Sequence, residues 1–217
     1  MKKIASLLAR VLPFGRSSMA DNHDVEEIYL QAKELLASED YENAIAPLTQ
    51  AAKVGHAEAQ YTLGMCYAYG KGVKQSYKEA VKWFTLAAEQ GLANAQYNLA
   101  WCYDQGNGVK QSCKKAVKWY TLAAQQGDAE AQHNLALCYD HGEGVAQTHE
   151  EAVKWYTLAA EQGDTYAQRN LALCYYNGQG VAQSYEEAVK WLTLAAQQGN
   201  PYAAKDLQQI MQEANAG

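Results

Sequence analysis

Apolar and small residues at Ala59, Leu63, Cys66 and Tyr67 fall at helical spacing, and so do Ala80, Trp83, Phe84, Ala87 and Ala88 further along. Both stripes recur with a fixed period of 36 residues, most plainly as AVKWFTLAAEQG from Ala80, AVKWYTLAAQQG from Ala116, AVKWYTLAAEQG from Ala152 and AVKWLTLAAQQG from Ala188. Each unit reads A-Q-x-x-L-[GA]-x-C-Y-x-x-G-x-G-V-x-Q, then a variable stretch, then A-V-K-W. The pattern predicts two amphipathic helices per unit. A period of this size marks a stacked array, so the chain reads as one solenoid rather than as several unlike domains.

The punctuation has a mechanism. Gly70 and Gly72, with their counterparts at 106 and 108, 142 and 144, and 178 and 180, tolerate positive φ and let the first helix end and the chain turn back. Ser76, Ser112, Thr148 and Ser184 stand where N-caps are expected, and Glu79, Glu151 and Glu187 complete capping boxes. Lys115 takes that place in the second unit beside Lys114, which sets two cations against the helix dipole and makes that unit the weakest expected. Gly91, Gly127, Gly163 and Gly199 close the second helices, and Asp128, Asp164 and Asn200 start the next first helices. Trp119 reads as a buried core aromatic.

The flanks fit a capped array. Residues 25–36 and 41–52 give two further helical patterns, and Pro201 opens a final one over residues 202–213, with Ala204, Leu207, Ile210 and Met211 on one face. The expected organisation is a basic leader (1–23), an N-terminal capping unit (24–56), repeats at 57–92, 93–128, 129–164 and 165–200, and a C-terminal capping helix and tail (201–217). Eleven helices are expected from Val25 onward.

From Ala57 to about Asn200 the motif A-x-A-Q-x-x-L-G-x-C-Y-x-x-G-x-G-V, followed by A-V-K-W-[YF], strongly resembles the Sel-one-like repeat family of the tetratricopeptide superfamily. The resemblance implies an all-α, right-handed superhelix of antiparallel helix pairs that holds other proteins, and no activity comes with it. Ala100, Ala136 and Ala172 stand where the family's first helix often carries glycine, and alanine still allows close helix approach.

The charge balance narrows the partners. With net charge -6, and with lysines and glutamates mixed along the second helices, the chain lacks the basic face that a nucleic-acid backbone requires. The ladder of Lys82, Lys118, Lys154 and Lys190 reads as a solvated, salt-bridged face. No apolar run is long enough to cross a membrane. Cys66, Cys102, Cys138 and Cys174 hold the same place in successive units, about 10 Å or more apart if helices pack at 8 to 10 Å. A disulfide needs Cα atoms within about 7 Å, so these read as buried packing residues in a reducing, cytoplasmic setting. Cys113 is the odd one, exposed or near Cys102 across the loop.

Catalytic constellations are not evident. His133, His141 and His149 all lie in the third unit but on different elements, with no C-x-x-C or H-E-x-x-H beside them, so no metal or cofactor is expected. The G-x-G pairs follow helices, not strands, and are not nucleotide loops. The chain reads as a non-enzyme, without a small-molecule substrate.

Positions that differ between units then carry the function, because the invariant ones are explained by stacking. The resemblance implies that the first helices line a concave groove. Its candidate partner-binding residues are Tyr61, Met65 and Tyr69 in the first unit, then Tyr97, Asn98, Trp101 and Asp104 in the second. His133, Asn134 and Asp140 follow in the third, and Arg169, Asn170 and Tyr176 in the fourth. Aromatic residues and arginine are common interface anchors, and the asparagines offer both donor and acceptor to a peptide backbone. The competing reading of Tyr61, Tyr97 and Trp101 is packing against the neighbouring second helix. The expectation is a monomeric scaffold or adaptor holding a protein or peptide. An inhibitor or immunity-type protein that blocks one partner, and a metal enzyme using the third-unit histidines with Asp140, are the alternatives.

Residues 1–20 carry Lys2, Lys3, Arg10 and Arg16, no acid, and apolar residues at helical spacing. A secretory signal, whose apolar stretch Arg10 cuts short, an organelle transit peptide, and a plain basic leader or a true start at Met19 compete; the last reading is preferred because the cysteine usage favours a reducing site.

Overall fold

The structure, a computed structural model, describes residues 19–216, so the leader reading lies outside the described residues except at its last two positions. Among the described residues the chain is all helix: α1 (Met19–Ala37), α2 (Tyr41–Lys53), α3 (Ala57–Tyr69), α4 (Tyr77–Glu89), α5 (Ala93–Gln105), α6 (Cys113–Gln125), α7 (Ala129–His141), α8 (His149–Glu161), α9 (Thr165–Asn177), α10 (Tyr185–Gln197) and α11 (Ala203–Ala216). Each packs chiefly on the helix before it and the helix after it, which makes the right-handed solenoid of stacked pairs. No helix among them is long and apolar enough to cross a membrane.

The core is divided among the joints of the array. At one joint Ala100, Tyr120, Leu135 and Cys138 bury together from α5, α6 and α7, and equivalent clusters form at the others. The deepest aromatic is the residue after the tryptophan: Phe84, Tyr120 and Tyr156 are each 1% exposed. Trp119 is only half-buried between two such clusters, with the Lys118 Nζ 5.3 Å above its ring, so the core role expected of it belongs to Tyr120.

The two glycines of each loop do different work. Gly106, at φ 73, is a left-handed C-cap whose N–H donates to the Cys102 carbonyl. Gly108, at φ 72, also lies against the preceding unit: a Cβ placed on it would stand 2.4 Å from the Tyr77 carbonyl carbon and oxygen. The first helix of Gly64 shows a similar constraint, since a Cβ there would meet the Phe84 ring at 2.6 Å, whereas Ala100, Ala136 and Ala172 are accommodated in the later units.

Capping is half of what the sequence suggests. Ser76, Ser112 and Ser184 accept from the backbone N–H three residues on. The glutamates do not reach back: Glu79 holds Lys82 at 2.6 Å, Glu187 holds Lys190 at 3.0 Å and Glu151 pairs with Lys154. They are not needed there, because each cap residue's own N–H donates to a tyrosine carbonyl of the preceding helix, as in Ser76 to Tyr67 at 2.9 Å. The second unit keeps its serine cap, and Lys115 turns its Nζ to 4.9 Å from the Tyr103 ring. The missing cap bond is in the third unit, where the Thr148 hydroxyl donates to the Ala146 carbonyl instead.

A buried glutamine ties each unit to its neighbours. The Gln96 and Gln132 side chains donate to the Ala88 and Ala124 carbonyls at 3.1 Å, and accept from the Gln126 and Gln162 amides at 2.8 and 2.7 Å. Gln168 keeps the first bond at 3.1 Å, but its buried oxygen has no hydrogen-bond partner. The C-terminal helix α11 begins after a turn containing Pro201, later than expected, with the Asn200 side chain accepting from the Tyr202 and Ala203 N–H groups. Asn200, Ala203, Leu207 and Ile210 follow Asp164, Ala167, Leu171 and Cys174 by one period, so α11 is a fifth first helix without its second.

Candidate partner-binding groove

The first helices α3, α5, α7 and α9 carry the predicted residues, and one residue of each reaches the next first helix in the array. Tyr61 stands beside Asn98, Tyr97 beside Asn134 and Glu130, the His133 ring 3.2 Å from the Asn170 amide, and Arg169 Nε 2.5 Å from Asp206. Every aromatic rung also packs downward. Tyr61 lies 6.1 Å from Phe84, Tyr97 6.0 Å from Tyr120, His133 6.0 Å from Tyr156 and Trp101 6.1 Å from Tyr77, centroid to centroid. Packing and lining are therefore both properties of these half-buried side chains.

Two adjoining clefts open on this face. The first, of about 400 Å³, is walled by Tyr69, Tyr77, Tyr97 and Trp101 over a floor of Ala68, Phe84 and Cys102. The second, of about 410 Å³, is bounded by Tyr61, Met65, Asn94, Asp128 and Ala129. Tyr69, Tyr97, Asn98 and Glu130 line both. Tyr69 is 63% exposed, so its ring meets solvent before any ligand does. Sequence reasoning missed Tyr77, Asn94, Asp128 and Glu130. All four stand at positions that vary from unit to unit, the signal used for the first-helix rungs, but at the edges of the helices where it was not applied.

The asparagine ladder is less available than the sequence suggests. Asn98 and Asn134 each donate an amide N–H at 2.9 Å to a carbonyl one turn earlier in their own helix, and the Asn170 amide faces His133. The C-terminal rungs are engaged as well. Arg169 lies over the Tyr202 ring at 5.5 Å while it holds Asp206, and Tyr176 donates to Glu213 and packs edge-on against Tyr185. Arg169 and Tyr176 thus bind α11 and are withdrawn from the site. Asp140 is held by His149 at 2.8 Å, and Asp104 accepts from the Gln105 side chain at 2.9 Å. What remains open is the stretch from α3 to α7.

Burial sets the electrostatics. It pushes the Tyr97 hydroxyl up, with Glu130 beside it acting in the same direction, and raises the buried Tyr120 and Tyr156 hydroxyls, next to Asp104 and Asp140 respectively. It lowers His133 against the opposing pull of Asp164 and Glu130, so the neutral ring is favoured. The third-unit histidines do not converge: His133 faces Asn170, His149 faces Asp140 and His141 is exposed. Among the described residues no group of three His, Cys, Asp or Glu side chains could hold a metal ion. All five cysteines are free, and Cys113 lies against Gly144 of the next unit rather than across its own loop.

A family model described as the Sel1 repeat matches residues 57–92, 93–128, 129–164 and 165–200. A search of curated proteins found no match. Among solved structures, a Sel1 repeat protein from Oxalobacter formigenes is 35% identical with a TM-score of 0.78, over 82% of this chain and 74% of that one. A protective antigen of uropathogenic Escherichia coli strains, with an SLR fold, is 31% identical with a TM-score of 0.67 over 91% of this chain. That match covers 51% of the antigen, so the chain spans about half its length.

Proposed function

The chain belongs to the Sel1 repeat family, and from that premise we propose that it is a non-catalytic adaptor that seats a segment of a protein partner in the groove between α3 and α7. Proteins with these repeats are generally protein-interaction scaffolds, and no catalytic family is indicated for this one. The observation that carries the finer reading is the pair of aromatic clefts. Tyr69, Tyr77, Tyr97 and Trp101 supply large contact areas with little side-chain entropy to lose, on helices fixed by packing from both sides.

The test is capture of a partner from the native extract by the full chain, followed by its affinity for three proteins: wild type, Tyr69→Ala with Asn98→Ala, and Leu158→Ser. Leu158 is 43% exposed on α8, away from the clefts, and serves as the control surface. The groove variant should bind at least about tenfold more weakly, as expected for loss of an interface anchor, while Leu158→Ser binds normally. Equal binding by wild type and the groove variant would remove the reading.

A further inference from the structure

We infer that the double cleft takes the cationic side chain of a basic peptide, an inference that rests on the groove reading above. The lining is one-sided in charge. Among the described residues Asp128 and Glu130 are the only charged ones that line it, and no described lysine or arginine lines either cleft. The Asp128 carboxylate accepts from the Ala131 N–H at 2.8 Å, and the Glu130 carboxylate, hydrogen-bonded to the Tyr97 hydroxyl, is exposed and lines both clefts. Tyr69, Tyr97 and Trp101 line the first cleft together with that carboxylate. A cation is attracted to the face of an aromatic ring and, more strongly, to a carboxylate that shares the site, so the two features select the same ligand.

The chain displays this recognition once within itself. Arg169 occupies the rung position of Tyr61, Tyr97 and His133, and its guanidinium lies 5.5 Å over the Tyr202 ring while its Nε meets Asp206 at 2.5 Å. In the last unit, then, the grouping of an aromatic face with a carboxylate on this side of the array holds a guanidinium supplied in cis. At the α3 to α7 end a grouping of the same chemistry, Trp101, Tyr69 and Glu130, lines the first cleft, and three lysines of this region are engaged elsewhere. Lys71 lies over Tyr41, Lys115 over Tyr103, and Lys82 holds Glu79. An arginine suits the site best, since its flat guanidinium can stack on a ring and present N–H groups to a carboxylate together. An acidic segment would meet Glu130 and Asp128 without a compensating cation.

The five tryptophan indoles give a direct readout in proton–nitrogen correlation spectra of the full chain, with the Trp101 signal identified by its loss in Trp101→Phe. N-acetyl-arginine N-methylamide is titrated beside its neutral isostere N-acetyl-citrulline N-methylamide. The arginine compound should shift the Trp101 indole saturably, and the citrulline compound should bind roughly tenfold more weakly, as the loss of charge from a charge-assisted contact requires. Glu130→Gln, at an exposed position that leaves the helix intact, should weaken the arginine response by a similar factor. Equal binding of the two compounds, an unaffected Glu130→Gln response, or no Trp101 shift up to the solubility limit would each overturn the inference. If the groove variant loses its partner but citrulline binds as well as arginine, the groove reading stands and the cationic one falls. If Trp101 answers to arginine alone while the groove variant keeps its partner, the cleft is a cation site and the adaptor reading falls.

Discussion

Replacing Gly106 and Gly108 separately by alanine isolates what the second loop glycine is for. Both sit near φ +70, so both variants carry the same left-handed strain, about 1–2 kcal/mol, offset in part by about 0.4–1 kcal/mol of lost freedom in the unfolded chain. Surroundings separate them. At Gly106 the new methyl would meet the Gln111 Cβ at 3.3 Å, a side-chain contact that a small shift relieves. At Gly108 it would stand 2.4 Å from the Tyr77 carbonyl and 2.7 Å from the Lys78 nitrogen, backbone atoms at the start of α4 that cannot turn away. Relief there means separating the loop from the previous unit by about an ångström, which adds the 1–3 kcal/mol typical of overpacking. Gly106→Ala should therefore lose about 1 kcal/mol and Gly108→Ala about 3 kcal/mol, read from urea titrations followed by far-UV circular dichroism. Losses equal to within about 0.5 kcal/mol would mean that the second glycine serves only its φ angle, and the contact between units would carry no energy.

The glutamine ties should grade by position: Gln96→Leu and Gln132→Leu each lose about 1–3 kcal/mol, and Gln168→Leu about 1 kcal/mol less, because only one of its two bonds exists. Equal losses at all three would count against the ties, and the same urea titration decides. His133 gives a pH signature. Burial holds its folded pKa below the ordinary 6.5, so the unfolded chain binds the proton first, and the stability present above that pH is lost as pH falls through and below it. His133→Tyr, which installs the residue that Tyr61 and Tyr97 provide in earlier units, should flatten this part of the melting profile between about pH 7 and 5. Thiol chemistry should single out one cysteine. Burial pushes Cys102, Cys138 and Cys174 up to about 12 and raises Cys66, so a thiol reagent at mildly alkaline pH should titrate Cys113 in the native protein and all five after unfolding.

The repeats were legible because their determinants are local. Helical spacing, left-handed glycines and serine caps each act within one unit, and four copies made the pattern plain. Three things escaped a reading made one unit at a time. Glu79, Glu151 and Glu187 looked like box partners, but the N–H groups they would cap already belong to tyrosine carbonyls of the preceding helix. Trp119 looked like core because it is large, whereas the helix phase buries Tyr120 and leaves the tryptophan between joints. Arg169 and Tyr176 looked like partner contacts because α11 was read as a cap, and only its position as a fifth first helix brings Asp206 and Glu213 onto them. Of the candidate site, Tyr61, Met65, Tyr69, Tyr97, Asn98 and Trp101 do come together in two clefts. Their acidic complement was hidden because Asp128 reads as a cap, and Glu130, in the first turn of α7, lies outside the rung positions compared between units.

Because each unit touches its neighbours through the same residues, the array has a fixed step. With helices packed at about 10 Å and an extended chain rising about 3.3 Å per residue, one unit matches about three residues of any segment seated in the proposed groove. Inserting one further 36-residue unit between Asp128 and Ala129 would preserve both kinds of glycine contact and both glutamine bonds, and would lengthen the face of first helices by one such step. The length of the array is set by how many copies of one sentence the chain contains.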